Sequence, residues 1–182
     1  SPIDLAVRMK RLFAAIRHPA IPQRMQDAMY KTLVSGHNLG RKMAKEWEVR
    51  CRQCHREGRR VINSVEHAYA GCVRVAHLWR MVIARWNAAT CQTLDPTDKR
   101  TTLLGDRGDQ DDALTRDLWR FTFAATVWAV HRATRADAQC TDAYGAATAE
   151  AMLRDVRHEL RNMLKSAWAA RRGSNTQWWK AW

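Results

Sequence analysis

Long apolar runs are missing from this sequence. Charged residues interrupt every hydrophobic stretch well before the roughly 18 residues that would signal a bilayer span, so no membrane helix and no membrane partner are expected. No secretory leader, with its basic start, apolar middle and small-residue cleavage site, is visible. Proline and glycine are scarce, at 4 and 8 residues, which argues against a turn-rich β-sandwich. No glycine-rich phosphate loop is present. Acidic residues are also few, with 18 Asp and Glu against 31 Lys and Arg, leaving a net charge of +13 that suits a polyanionic partner. Hydrophobic residues make up 46% of the 182 positions, enough for one buried core and too many for a disordered chain. Five cysteines form an odd set, which fits poorly with the even disulfide framework of a small secreted protein. A reducing, intracellular setting and a metal are the better reading of those thiols.

What is present leans helical. Ile3, Leu5, Val7, Leu12, Phe13 and Ile16 lie near helical spacing with Arg8, Lys10, Arg11 and Arg17 between them, and Pro19 ends that pattern. Met25, Met29 and Leu33 recur along one face of a second helix. Ser64 starts a third, whose stripe of Ala68, Cys72, Val75, Leu78, Trp79, Val82, Ile83 and Trp86 runs to about Thr90. Asp95, Asp98, Asp106, Asp109, Asp111 and Asp112 gather with Pro96, Gly105 and Gly108 in what reads as a mobile acidic loop, with Leu103 and Leu104 docking. A long helix follows from about Asp112 to Ala136. A last amphipathic helix carries Ala151, Met152, Val156, Leu160, Met163, Leu164 and Trp168. The expected fold is mostly α, a bundle of five or six helices with one small structural zinc site. Its expected divisions are a basic approach region (1–50), a zinc module with its following helix (51–90), the acidic loop (91–111), a helical hairpin (112–172) and a Trp-rich tail (173–182).

The sharpest chemical signal is Cys51-x2-Cys54-x12-His67-x4-Cys72. Zinc takes four nitrogen or sulfur ligands in a tetrahedron, and two cysteines separated by two residues can reach one ion from a tight turn. Four protein ligands leave no open position, so such a metal is structural. His67 and Cys72 are five residues apart, about 140° around an ideal α-helix, so a widened first turn is expected there. His55, directly after Cys54, is the rival fourth ligand. The plainer alternative is two surface thiols and a capping histidine. A redox role for Cys51 and Cys54 would need a βαβ context that the sequence lacks. Cys91 and Cys140 read as small buried hydrophobes.

This block and its surroundings resemble the zinc-binding domain near the carboxyl end of reverse transcriptases from LINE-like, non-LTR retrotransposons. The matching residues are the approach LVSGHNLGRKMAKEWEV and then CRQCHREGRRVINSVEHAYAGCVRVAHLW, with Ser64-Val65-Glu66-His67, Cys72 and Leu78-Trp79 at the family's positions; FTFAATVWAVHRATRADA looks like a later helix of such elements. The likeness spans about Met29 to Arg135 and is strongest from Cys51 to Trp79. Arg52 and His55 stand where the family usually has Pro and Gly, and the gap to His67 holds an extra basic run. The resemblance implies a nuclear, non-catalytic region of an RNA-directed DNA polymerase, contacting template RNA or target DNA beside an upstream polymerase region of the same polyprotein. Asp111-Asp112 sits in a polar loop rather than on the rigid hairpin that two-metal chemistry needs, so no catalytic residue is assigned.

Charge is concentrated toward the first cysteines: residues 1–60 hold 14 Lys and Arg against 5 acids, net +9, and the rest of the chain is net +4. Arg41, Lys42, Lys45, Arg50, Arg52, Arg56, Arg59 and Arg60 are therefore the candidate nucleic-acid contacts, because guanidinium groups on a stiffened loop meet phosphates already ordered. Trp79, Trp86, Trp119 and Trp128 fall on apolar stripes and read as core, Trp47 as a possible base-stacking residue, and Trp178, Trp179 and Trp182 as a tail without an evident core. His131 and His158 lie on helices with no nucleophile to serve. The competing reading is a zinc-stapled helical module that binds a protein partner.

Overall fold

At the centre lies a helix whose residues 121 to 127 are buried without a break. In this computed structural model the described residues are 13, 16–34, 50–107, 112–139 and 147–170. They form α1 (Gln23–Leu33), α2 (Arg52–Arg56), a π-helical turn (His67–Gly71), α3 (Val73–Thr90), α4 (Lys99–Leu104), α5 (Ala113–Gln139) and α6 (Ala149–Ala170). The chain is mostly helical, and among the described residues the only β pairing is an isolated antiparallel bridge between Arg50 and Ile62.

The central helix is α5. It packs most extensively on α6, its hairpin partner, and α1 and α3 cover its other sides. Full burial suits its composition of Phe121, Phe123, Ala124, Ala125 and Val127, and its two enclosed hydroxyls are satisfied within the helix. Thr122 Oγ1 donates to Leu118 O at 2.9 Å and Thr126 Oγ1 to Thr122 O at 2.7 Å. Asp112 caps α5, accepting the Leu114 and Thr115 amides at 2.9 and 3.0 Å and the Thr115 hydroxyl at 2.6 Å. Those bonds, led by the Thr115 hydroxyl, hold its carboxyl below the usual range.

Residues 1–50 were expected as an approach region, yet α1 belongs to the core: Met25, Ala28, Met29 and Thr32 are buried, and Arg24 reaches both oxygens of the enclosed Glu159 on α6 at 3.3 Å. Of the first expected helix only Phe13 and residues 16–18 are described, with Ile16 buried.

The segment expected as an acidic loop contains α4, capped by Asp98 at one end and by Gly105 at the other. Tryptophans pin it down. Trp119 Nε1 donates to Gly105 O at 2.8 Å and Trp86 Nε1 to Gln92 Oε1 at 2.9 Å. Arg107 lies over both indoles, 4.7 Å from the Trp86 ring and 5.3 Å from that of Trp119. The apolar stripes thus hold the loop through their polar edges, something composition does not reveal. Two expectations about small apolar groups fail here. Leu104 is exposed while Leu103 packs on the core. Cys91 is exposed and ends α3 with a positive φ of 56°.

Trp79, Trp86 and Trp119 are buried, and Trp128 is partly buried against the core. Cys140, Asp111, Trp47, Trp178, Trp179 and Trp182 lie outside the described residues. No helix among the described residues is long and apolar enough to cross a membrane.

Candidate metal centre

The site forms where three local structures meet. Cys51 and Cys54 flank the start of α2, where the Cys51 amide donates to Val61 O at 3.0 Å and the His55 amide to Cys51 O at 2.9 Å. The Arg59 amide then returns to Cys54 O at 2.8 Å, a reversal that Gly58 makes at a φ of 76°. His67 opens the π-helical turn, its amide held by Ser64 Oγ at 3.1 Å. Cys72 ends that turn and is the N-cap of α3.

The π turn solves the spacing problem posed by five residues. The Cys72 amide donates to His67 O at 2.6 Å, an i to i+5 bond, and this wider winding sets residue i+5 nearly over residue i. An α-helical turn would have left the two side chains on different faces. Buried Trp79 braces the turn from α3, its Nε1 donating to Tyr69 O at 2.9 Å.

One ligand atom from each of Cys51, Cys54, His67 and Cys72 lies within 4.8 Å of all the others. Cys51 Sγ is 3.9 Å from Cys72 Sγ, and Cys54 Sγ is 3.3 Å from His67 Nε2. A disulfide needs about 2.05 Å, so the thiols are free. Tetrahedral metal–sulfur bonds of about 2.3 Å and metal–nitrogen bonds of about 2.0 Å imply edges of about 3.8 and 3.5 Å, close to the observed separations. All four residues are enclosed, with exposures of 8% for Cys51, 1% for Cys54, 9% for His67 and 3% for Cys72. The cluster could hold one metal ion, and its donor set fits one. His55, the rival ligand, is exposed and stands outside the four.

The electrostatics favour a cation at this point. The Cys72 thiol, hydrogen-bonded to Cys51, holds Cys51 well below the usual thiol range, against the opposing effect of burial, with His67 assisting. Cys72 is pushed up by the same bond, by burial and by the charge on Cys51. Burial pushes Cys54 up. Three thiolates cannot share this enclosed volume without a compensating positive charge. Backbone amides aim at the sulfurs: the Cys54 amide at Cys51, and those of Val73 and Arg74 at Cys54 and Cys72. The last two are first-turn amides of α3, whose N-terminal end presents a partial positive charge to the site. Sequence reasoning missed these amides and the Trp79 brace. The helix expected from Ser64 onward is instead a π turn followed by α3 from Val73, so Cys72 caps α3 rather than lying on its stripe.

Of the expected nucleic-acid contacts, Arg50, Arg56, Arg59 and Arg60 are exposed on the segment carrying the first two cysteines, and Arg52 lies in α2. Arg41, Lys42 and Lys45 lie outside the described residues. No protein-family model, curated protein or solved structure matches the chain.

Proposed function

We propose that this chain is a zinc-stabilised, nucleic-acid-binding accessory domain of a retroelement-type reverse transcriptase, not catalytic by itself and acting in the nucleus beside the element's polymerase. The observation that carries the reading is the enclosed Cys51, Cys54, His67, Cys72 cluster with exposed arginines on the same short segment. Zinc is the metal of choice because three thiolates and one imidazole form a soft, tetrahedral set, and four protein ligands leave no position for a reacting water. Its role is to hold residues 50–62 against the start of α3. Arg50, Arg52, Arg56, Arg59 and Arg60 then meet phosphates of RNA or DNA from a stiffened loop, together with Arg41, Lys42 and Lys45 before it. The resemblance of Cys51 to Trp79 to the LINE-type domain supplies the polymerase context.

Binding to labelled RNA and DNA strands, measured across a salt series, tests the nucleic-acid part. Neutralising Arg56, Arg59 and Arg60 together should flatten the log–log salt slope by about 2, since each phosphate contact on a single strand contributes about 0.7. An unchanged slope rejects the loop as the contact. Zinc near one equivalent per purified chain is expected, and tight binding to a protein with none to nucleic acid would favour the interaction-module alternative.

A further inference from the structure

A second concentration of positive charge lies away from the cysteines, along α3 and α6. Arg74 Nη1 donates to Ala147 O, just before α6, at 3.0 Å, and farther along Arg85 senses the charge of Arg157. The two helices therefore run side by side in the same direction. From Val73 to Thr90, α3 has Arg74, Arg80, Arg85 and His77 and no acidic residue.

On α6, Arg154, Arg157, Arg161, Lys165 and Trp168 follow one another at spacings of three and four, which places them on one face. All are exposed except half-buried Arg157. The acids of α6 are mostly spent elsewhere: Glu159 is turned to Arg24 on α1 and Asp155 to Arg132 on α5. Glu150, in the first turn, is the one acid near the stripe, beside His77 and Arg154. Arg157 Nε is shielded from solvent with no hydrogen-bond partner. The Arg85 guanidinium is held below its usual range by burial and then by Arg157. A half-buried guanidinium whose Nε has no hydrogen-bond partner among the described residues is relieved by an anion from outside.

Trp168 decides which anion. At 61% exposed it is the most exposed large hydrophobic side chain among the described residues, and it ends the basic stripe rather than joining the core. A purely acidic chain such as poly-glutamate has no ring to stack on an open indole. A strand with unpaired bases does, because the backbone can follow the guanidinium row while a base stacks on the ring.

We infer that the α3–α6 face is a second nucleic-acid contact that binds single strands, with Arg85, Arg154, Arg157 and Arg161 on the phosphates and Trp168 under a base. The inference rests on the nucleic-acid reading above and adds to it a surface and a strand preference. The test uses the metal-loaded full chain and a fluorescein-labelled oligothymidine of about 20 nucleotides, long enough for a groove of this kind. Replacing Arg154, Arg157 and Arg161 with Gln should flatten the salt slope by about 2. Trp168→Ala should weaken binding roughly tenfold with the slope unchanged, and Trp168→Phe should restore it. Circular dichroism melts verify folding, and the exposed Trp168 variants keep the test available should the triple variant fail to fold. If the stripe variants bind like the parent while the Arg56, Arg59, Arg60 variant does not, the inference fails and the loop reading stands. The reverse pattern supports the stripe against the loop. Tighter binding of duplex than of single strand, or equal competition by poly-glutamate, overturns the single-strand assignment. No binding to any strand at low salt removes both readings.

Discussion

Removing the metal is the perturbation with the largest expected effect. The four ligand atoms close a loop of 22 residues from Cys51 to Cys72 and lie within 4.8 Å of one another. Closing a loop of that length costs about 3 kcal/mol of chain entropy, and without a cation the buried thiols must also give up their charge. A metal binds the folded arrangement and only weakly the unfolded chain, so free metal at a thousand times its Kd adds about 4 kcal/mol of stability. In a chain of this size each kcal/mol moves Tm by about 2–4 °C, so stripping the metal should lower Tm by about 8–16 °C. The assay is a pair of circular dichroism melts, with and without a chelator, on protein whose metal content has been measured. Hydrogen exchange should localise the loss to α2, the π turn and the first turn of α3, while the α5–α6 hairpin keeps more of its protection. Cys54→Ser should give the same pattern. Superimposed melts before and after verified removal of the metal would refute the reasoning, because they would mean that the loop is closed by side-chain packing alone.

Three further outcomes follow from the structure. Gly105→Ala should destabilise by roughly 2–4 kcal/mol, since φ is 67° there and a Cβ would lie 3.0 Å from the Phe123 ring; a urea midpoint matching the parent's would contradict this. Cys91→Gly should stabilise by about 0.5–1 kcal/mol, because the exposed Cys91 holds the left-handed cap of α3 and has no core contact to lose. A lowered melting midpoint would show that its side chain matters. Burial, and then the charges of Arg135 and Lys31, depress the pKa of His131 below its ordinary 6.5, so the unfolded chain binds the proton more readily. The His131 contribution is therefore present above about pH 6.5 and falls away as pH drops toward the lower folded value. His131→Gln should flatten stability against pH in that window; an unaltered profile would place the proton elsewhere.

The fold was readable from the sequence wherever one face of a helix meets the core. The repeating stripes of α3, α5 and α6 locate those helices, and their ends near Thr90 and Asp112 follow from the breaks beyond. The four metal-site residues were also legible, because ligand chemistry restricts them to thiols and imidazoles at short spacing. Even the irregular turn between His67 and Cys72 could be anticipated, since five residues do not complete a whole number of α-helical turns.

Other features depended on partners distant in the chain. Whether residues 91–107 formed a loop or packed against the bundle was set by the indole edges of Trp86 and Trp119, on two different helices. The α1 part of the approach region became core because α1 meets α5, and His55 lost its place as a ligand because it is exposed, outside the enclosed cluster. The sequence alone determined which residues had metal-binding chemistry and which helices had apolar faces, as both depend on residue type and local spacing. Only the tertiary structure brought Cys51 beside Cys72 and Arg74 to the carbonyl of Ala147, because those encounters depend on how the helices pack.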